Sequence, residues 1–185
     1  MPKQKTTKKE ILQKCWEEIH LHGYRNSSIS KLAKAAGLGK AGLLHHFQSK
    51  EALMHAVLDY AIDFFENYAL AVVNEPLPLE QRLEKLLRRQ NRLTKLQQRG
   101  CFFTNIIMEV GQEGTFNEKL LRFYEEWRET IAQLLAEKMS LEAARHQAYL
   151  LHIQYEGAVT LYKLSGDEYH LEFYVSRSIE SMKTN

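Results

Sequence analysis

An all-α fold of about nine helices is what this sequence predicts, and three features carry the prediction. Apolar residues recur at three- and four-residue spacing through most segments, the mark of helices with one buried face. Helix-starting Ser/Thr residues and helix-ending glycines alternate along the chain, and only Pro2, Pro76 and Pro78 interrupt it. No stretch shows the sustained alternation of a half-buried strand, and no internal repeat or low-complexity tract is visible. At 185 residues and 44% hydrophobic content, the chain can bury a sizeable core.

The first helix is expected to begin at Thr7, because Thr7 and Glu10 have the spacing of a capping box. Ile11, Cys15, Trp16 and Ile19 form its buried face, and Gly23 ends it. A second helix, roughly Ser28 to Ala35, is capped by Ser27 or Ser28 and turns Ile29, Leu32, Ala33 and Ala36 inward. Gly37 makes the turn to a third helix, about Lys40 to His46, which buries Leu43 and leads into Phe47. Ala33 and Gly37 suit two helices that cross steeply: a small residue at closest approach, and a glycine for positive φ. Ser49 caps a long fourth helix expected to reach about Asn74, where Pro76 and Pro78 break it.

A fifth helix spans roughly Leu79–Gln98, with Leu83, Leu86, Leu87 and Leu93 on its apolar side, and Gly100 stops it. Cys101–Val110 reads as a short, strongly apolar sixth helix. Thr115 and Glu118 have capping-box spacing and predict the start of a seventh, running to about Met139. Ser140 caps an eighth to about Leu164, Gly166 ends it, and Asp167 starts a ninth to about Met182.

The net charge of +2 is unevenly spread. Residues 1–51 hold ten Lys/Arg against four Asp/Glu, while the remainder holds 15 against 19. A basic head on an acidic body fits an anionic partner such as DNA phosphate, and equally a soluble domain with a lysine-rich tail. Lys3, Lys5, Lys8 and Lys9 read either as an arm against phosphates and the minor groove or as a solvated tail. No run of about 18 apolar residues predicts a membrane span, and the start lacks the apolar core of a secretory signal. The expected compartment is the cytoplasm, with Cys15 and Cys101 as reduced thiols and no disulfide framework.

The stretch Gly23 to Leu58 has the grammar of a helix-turn-helix unit. Residues 11–58 resemble the DNA-binding domain of TetR-family transcriptional regulators. The likeness is carried by Ile11, Gly23, Tyr24, Ser28, Ile29, Leu32, Ala33, Ala36, Gly37, Lys40, Leu43, His45, His46, Phe47, Lys50, Glu51, Ala52 and Leu53. The resemblance implies a helix-turn-helix domain at 1–50 and a ligand-binding and dimerisation bundle at 51–185. It implies a DNA side formed by Ser28, Gly39, Lys40, Ala41, Gly42, Leu44, His45, His46 and Lys50. The chain departs from the family where DNA is touched. Gly39 stands at a usual capping Ser, Gly42 at a frequent Thr, and Leu44 at a frequent Tyr. Two glycines in a two-turn helix would cost roughly 1 kcal/mol each in propensity. Leu44 remains suited to a thymine methyl. His45 and His46 diverge by about 100° on a helix, so they are not expected to ligate a metal together.

The resemblance further implies a small-molecule effector in the C-terminal bundle. Candidate contacts are Phe64, Tyr68, Phe102, Asn105, Met108, Trp127, His152 and Tyr155, each of which also reads as plain core. Asn105 and His152 stand out as polar groups in apolar surroundings. Cys101 follows Arg99-Gly100 at a helix start, where the dipole and a guanidinium would lower its pKa. It is a candidate redox or electrophile switch, against the plainer reading of a small packed residue; Cys15 is read as packing. Dimerisation is expected through the last two helices, with Gly157 and Ala158 forming a smooth patch amid Tyr155, Val159, Leu161 and Tyr162.

The leading expectation is a ligand-responsive repressor that binds a palindromic operator as a homodimer. Alternatives are a helical adaptor that has lost DNA recognition, or a thiol-based sensor through Cys101. An enzyme is not expected: there is no phosphate-cradling loop, His-Glu-x-x-His or nucleophile elbow, and nothing fixes Glu109 and Glu113 against His152. Neither a cofactor nor a metal is expected.

Overall fold

The computed structural model describes residues 7–112 and 114–183; Lys3 and Lys5 of the basic arm, and Glu113, lie outside them. Nine α-helices and two 3-10 turns make up the described residues, with no strand among them. The head comprises α1 (Lys8–His22), α2 (Ile29–Ala35) and α3 (Lys40–Phe47). The body comprises α4 (Lys50–Tyr68), α5 (Leu79–Thr94), α6 (Phe102–Val110), α7 (Asn117–Leu135), α8 (Leu141–Ser165) and α9 (Tyr169–Lys183).

Local chemistry explains the head. Thr7 and Glu10 form the reciprocal capping box, with Glu10 N donating to Thr7 Oγ1 at 3.2 Å and Thr7 N to Glu10 Oε2 at 2.7 Å. Gly23 closes α1 at φ +84°, donating its N–H to Ile19 O. Ser28, not Ser27, caps α2 by accepting from Lys31 N; Ser27 is buried and donates to Gly23 O. Gly37 turns at φ +70° between α2 and α3. Ile11, Cys15, Ile19, Leu32, Ala33, Leu43 and Phe47 then close one apolar core, onto which α4 adds Leu53, Met54, Val57 and Leu58.

Several boundaries differ from the sequence expectation. The fourth helix stops at Tyr68, and Leu70–Asn74 tightens into a 3-10 turn. Two carbonyls released there are taken by arginines of α5: Arg89 donates to Tyr68 O and Arg82 to Val73 O. The fifth helix ends at Thr94, followed by a 3-10 turn at Leu96–Gln98. The Thr115–Glu118 capping box does not form. α7 begins at Asn117, with Phe116 as an N-cap residue that supplies no side-chain bond. Phe116 is instead held by rings of the head and α4, 5.3 Å from Tyr24 and 5.0 Å from His55. α7 ends at Leu135 rather than near Met139, and Ser140 caps α8 as expected.

α7 lies along α8, and α9 packs on α8 and α5. The body core is aromatic at its centre: Phe103 stands 4.3 Å from Phe123, and both meet Phe65 edge-on. The smooth patch expected at Gly157–Ala158 is corrected by helix phase. Tyr155, Ala158, Val159 and Tyr162 face the chain's own core, and Gly157 faces out. The outward apolar face of α8 and α9 carries Tyr149, Ile153, Leu161, Leu164, Tyr169 and Phe173. No described helix is long and apolar enough to cross a membrane.

Candidate nucleic-acid interface and interior chamber

Burying Leu43 and Phe47 fixes which side of α3 faces out. Lys40, Ala41, Gly42, His45 and His46 are exposed, and Leu44 is half-buried. Ser28, the N-cap of α2, and Lys31 and Lys34 within it are also exposed. Gly39 is the N-cap of α3 at φ −78° and forms no side-chain cap bond, so Gly42 alone weakens the helix interior. The roughly 1 kcal/mol propensity cost therefore applies once, not twice. The face offers cations for phosphate, imidazoles for hydrogen bonding and Leu44 as an apolar contact, a mixture that can read a groove. The rings of His45 and His46 sit 5.9 Å apart at 67°, and no group of metal-binding side chains occurs among the described residues.

Lys50 is engaged within the chain. Its Nζ donates to Tyr24 O at 2.6 Å and lies 4.2 Å from the centre of the Tyr24 ring. Burial pushes its pKa down, opposed by Glu109. Lys50 thus braces the α1–α2 loop against the start of α4.

Glu109, on α6, makes the second brace. Its Oε1 accepts from Tyr24 N at 3.2 Å and its Oε2 from Arg25 N at 2.9 Å. Gly23 permits this approach: a Cβ there would lie 2.5 Å from Glu109 Oε1. At the other end of α6, His20 Nε2 is 2.9 Å from Gly100 O. The carbonyl can only accept, so His20 carries its proton on Nε2. Burial, reinforced by Lys163 and Arg99, lowers the His20 pKa against the opposing effect of the Gly100 bond. The head is hydrogen-bonded to the body at both ends of α6.

A chamber of about 30 Å³ lies beside that junction. Phe64, Phe102, Tyr155 and Cys101 line it, as do Trp16, His20, Gln90 and Thr94. The other expected contacts lie elsewhere. Tyr68 lines a surface cleft under Arg89, and Met108 is 79% exposed on a groove between α6 and α7. Asn105 bridges Arg99 O and Lys163 Nζ near the surface. Trp127 is fully buried. His152 stacks on Tyr124 at 4.6 Å and joins Arg128 and Glu156.

Cys101 needs a correction. It is buried, and desolvation, with Glu156 nearby, raises its thiol pKa against hydrogen bonds from Thr104 and Tyr155. The start of α6 therefore does not lower this thiol's pKa: desolvation by burial is the larger effect, and the Glu156 carboxylate acts in the same direction. Cys15 is likewise pushed up, to about 12, chiefly by burial.

Gln90 and Thr94 also belong to the chamber lining, and a signal for them is present in the sequence. The α5 stripe Leu83, Leu86 and Leu87 continues at helical spacing onto Gln90 and Thr94, putting polar residues in core positions. Trp16 and His20 were hidden because α1 reads as a helix of the head alone.

Residues 11–57 match the family described as bacterial regulatory proteins, tetR family, and residues 79–177 match a tetracyclin repressor-like C-terminal domain. HTH-type transcriptional regulator RutR of Escherichia coli (strain K12) is 34% identical over 82 residues, covering 40% of this chain and 39% of that protein. The chain thus spans well under half the length of that relative. HTH-type transcriptional repressor DhaR of Mycobacterium sp. (strain GP1) is 21% identical over 95% of this chain and 91% of its own. Among solved structures, a TetR transcriptional regulator from Legionella pneumophila superposes with a TM-score of 0.87 at 22% identity, covering 97% of this chain and 98% of that one.

Proposed function

Because this chain belongs to the TetR family of transcriptional regulators, DNA-binding proteins rather than enzymes, we propose that it is a ligand-responsive repressor. It binds a palindromic operator as a homodimer, with residues 1–50 as the reading head and 51–185 as the sensing and pairing body. A small molecule entering the body releases the DNA. The observation that carries this reading is the double tie of α6 to the head, through Gly100 with His20 and Glu109 with Tyr24 and Arg25. The same helix supplies Phe102 and Phe103 to the chamber wall, so a molecule that displaces α6 strains both ties.

Two-fold pairing through the exposed apolar face of α8 and α9 would set two α3 helices in successive major grooves, roughly 34–36 Å apart. Lys40 and Lys34 serve phosphates, while Leu44 and His45 face base edges. The test is a gel shift on the DNA upstream of the chain's own gene, across a salt series. Binding that weakens steeply with salt, and is reduced in Lys40→Ala and Leu44→Ala, supports the reading. Absence of binding at low salt would favour the protein-interaction adaptor instead.

A further inference from the structure

Aromatic rings dominate the chamber: Trp16, Phe64, Phe65, Phe102, Phe103 and Tyr155 all line it. Most of its polar groups are satisfied. Thr94 Oγ1 and Tyr155 OH share a hydrogen bond of 2.5 Å, and His20 Nε2 is bonded to Gly100 O. Two atoms are left over. Gln90, only 3% exposed, has a buried Oε1 with no protein partner, and Trp16 has a buried Nε1 with none. One is an acceptor and the other a donor. A hydroxyl group carries the complement of each, a proton to donate and an oxygen to accept. No Asp, Glu, Lys or Arg lines the chamber, and burial disfavours the charged form of His20. A charged molecule would be desolvated there without a counter-charge.

Size and access also have a structural basis. About 30 Å³ admits a water but not a ring. Trp16, His20 and Phe64 also line an outer cleft of about 470 Å³ that includes Lys9, Glu17, Tyr60 and Leu96; the lining without carboxylates or cations is that of the inner chamber, where a hydroxyl is matched. Trp16, His20 and Phe64 are the partition between the two spaces, and Phe64 is 37% exposed. Displacing Phe64 joins the spaces, with the Trp16 ring left in place, into a volume typical of small-molecule sites, about 300–1,000 Å³.

We propose that this junction is a site for an uncharged hydroxyaromatic molecule, whose hydroxyl donates to Gln90 Oε1 and accepts from Trp16 Nε1. The proposal rests on the effector-responsive reading and names its ligand class. It also places the effector against α1, so the ligand moves the head directly as well as through α6.

Calorimetric titration of the full-length protein with 2-naphthol and with its methyl ether, 2-methoxynaphthalene, tests this. The ether keeps the rings and loses the donor. The expected result is one 2-naphthol per chain, with the ether weaker by about tenfold or more. In Gln90→Leu, which removes the acceptor of the hydroxyl proton, that discrimination falls to about threefold or less; Trp16→Phe removes a donor that both compounds' oxygens accept from, so it weakens both by about threefold or more. Melting curves without ligand identify which variant folds, and each folded variant is read by its own criterion. No 2-naphthol binding, equal affinity for the two compounds, undiminished discrimination in folded Gln90→Leu, or unchanged affinities in folded Trp16→Phe would overturn the site. A gel shift on the same samples separates the two readings. Binding of 2-naphthol with DNA affinity unchanged upholds the site and overturns the effector response. DNA release by another molecule that acts equally on wild type and Gln90→Leu overturns the site and upholds the response.

Discussion

Substituting Gly23 by Ala tests the joint between head and body. Gly23 has φ +84° and ψ 157°, a region open almost only to glycine, so alanine costs about 1–3 kcal/mol in backbone strain. Its Cβ would also lie 2.5 Å from Glu109 Oε1. The carboxylate can swing away, but only by releasing Tyr24 N and Arg25 N. Those two bonds are partly solvated and together contribute about 1–2 kcal/mol. Gly23→Ala should therefore destabilise by about 2–5 kcal/mol, and Glu109→Ala alone by about 1–2 kcal/mol. In the double variant the bonds are lost only once. The pair should be sub-additive by about 1–2 kcal/mol, read from urea midpoints at fixed protein concentration. Additivity within about 0.5 kcal/mol would refute the claim that Gly23 permits the approach of Glu109.

Other consequences follow from the same geometry. The lowered His20 pKa means the unfolded chain takes up that proton first as pH falls. Its contribution is therefore complete above about pH 6.5 and lost as pH drops through that value, levelling off below the folded pKa. His20→Gln should melt with a shallower pH dependence between pH 7.5 and 5.5; an unchanged slope contradicts the assignment. Both thiols should react with iodoacetamide in the folded protein at least about a hundredfold more slowly than free cysteine, because burial disfavours the thiolate. Alkylation of native protein at the free-cysteine rate would revive a sensing role for Cys101. Gly42→Ala meets only Leu38 Cβ, at 3.9 Å, and should raise stability by up to about 1 kcal/mol in thermal melts. Leu161→Glu combined with Phe173→Glu should yield monomers by sedimentation, and a persistent dimer would remove α8 and α9 from the interface.

Where helix ends depend on nearby residues, the sequence was informative. Thr7, Ser28, Ser49 and Ser140 cap the helices they precede, and Gly23, Gly37 and Gly166 take the positive φ their positions require. Ends set by distant partners were not visible. α4 stops at Tyr68 because arginines about 10–20 residues on satisfy freed carbonyls, and Thr115 loses its capping role to the packing of Phe116 on Tyr24 and His55. The outward face of α3 was legible from the burial of Leu43 and Phe47 four residues apart. The chamber was not, since Trp16 and Tyr155 are 139 positions apart and meet only through the fold. Lys50 shows the same limit: its place at the start of α4 suggests phosphate, while its bond to Tyr24 O is tertiary.

The most direct test is selection of bound sequences from random duplexes with the full-length protein at low salt. The expected result is a palindrome whose half-sites lie about one helical turn, or a multiple, apart. The enrichment should be lost in Leu44→Ala combined with Lys40→Ala. No enriched sequence, or an enriched site indifferent to those substitutions, would contradict a dimeric repressor reading DNA through α3.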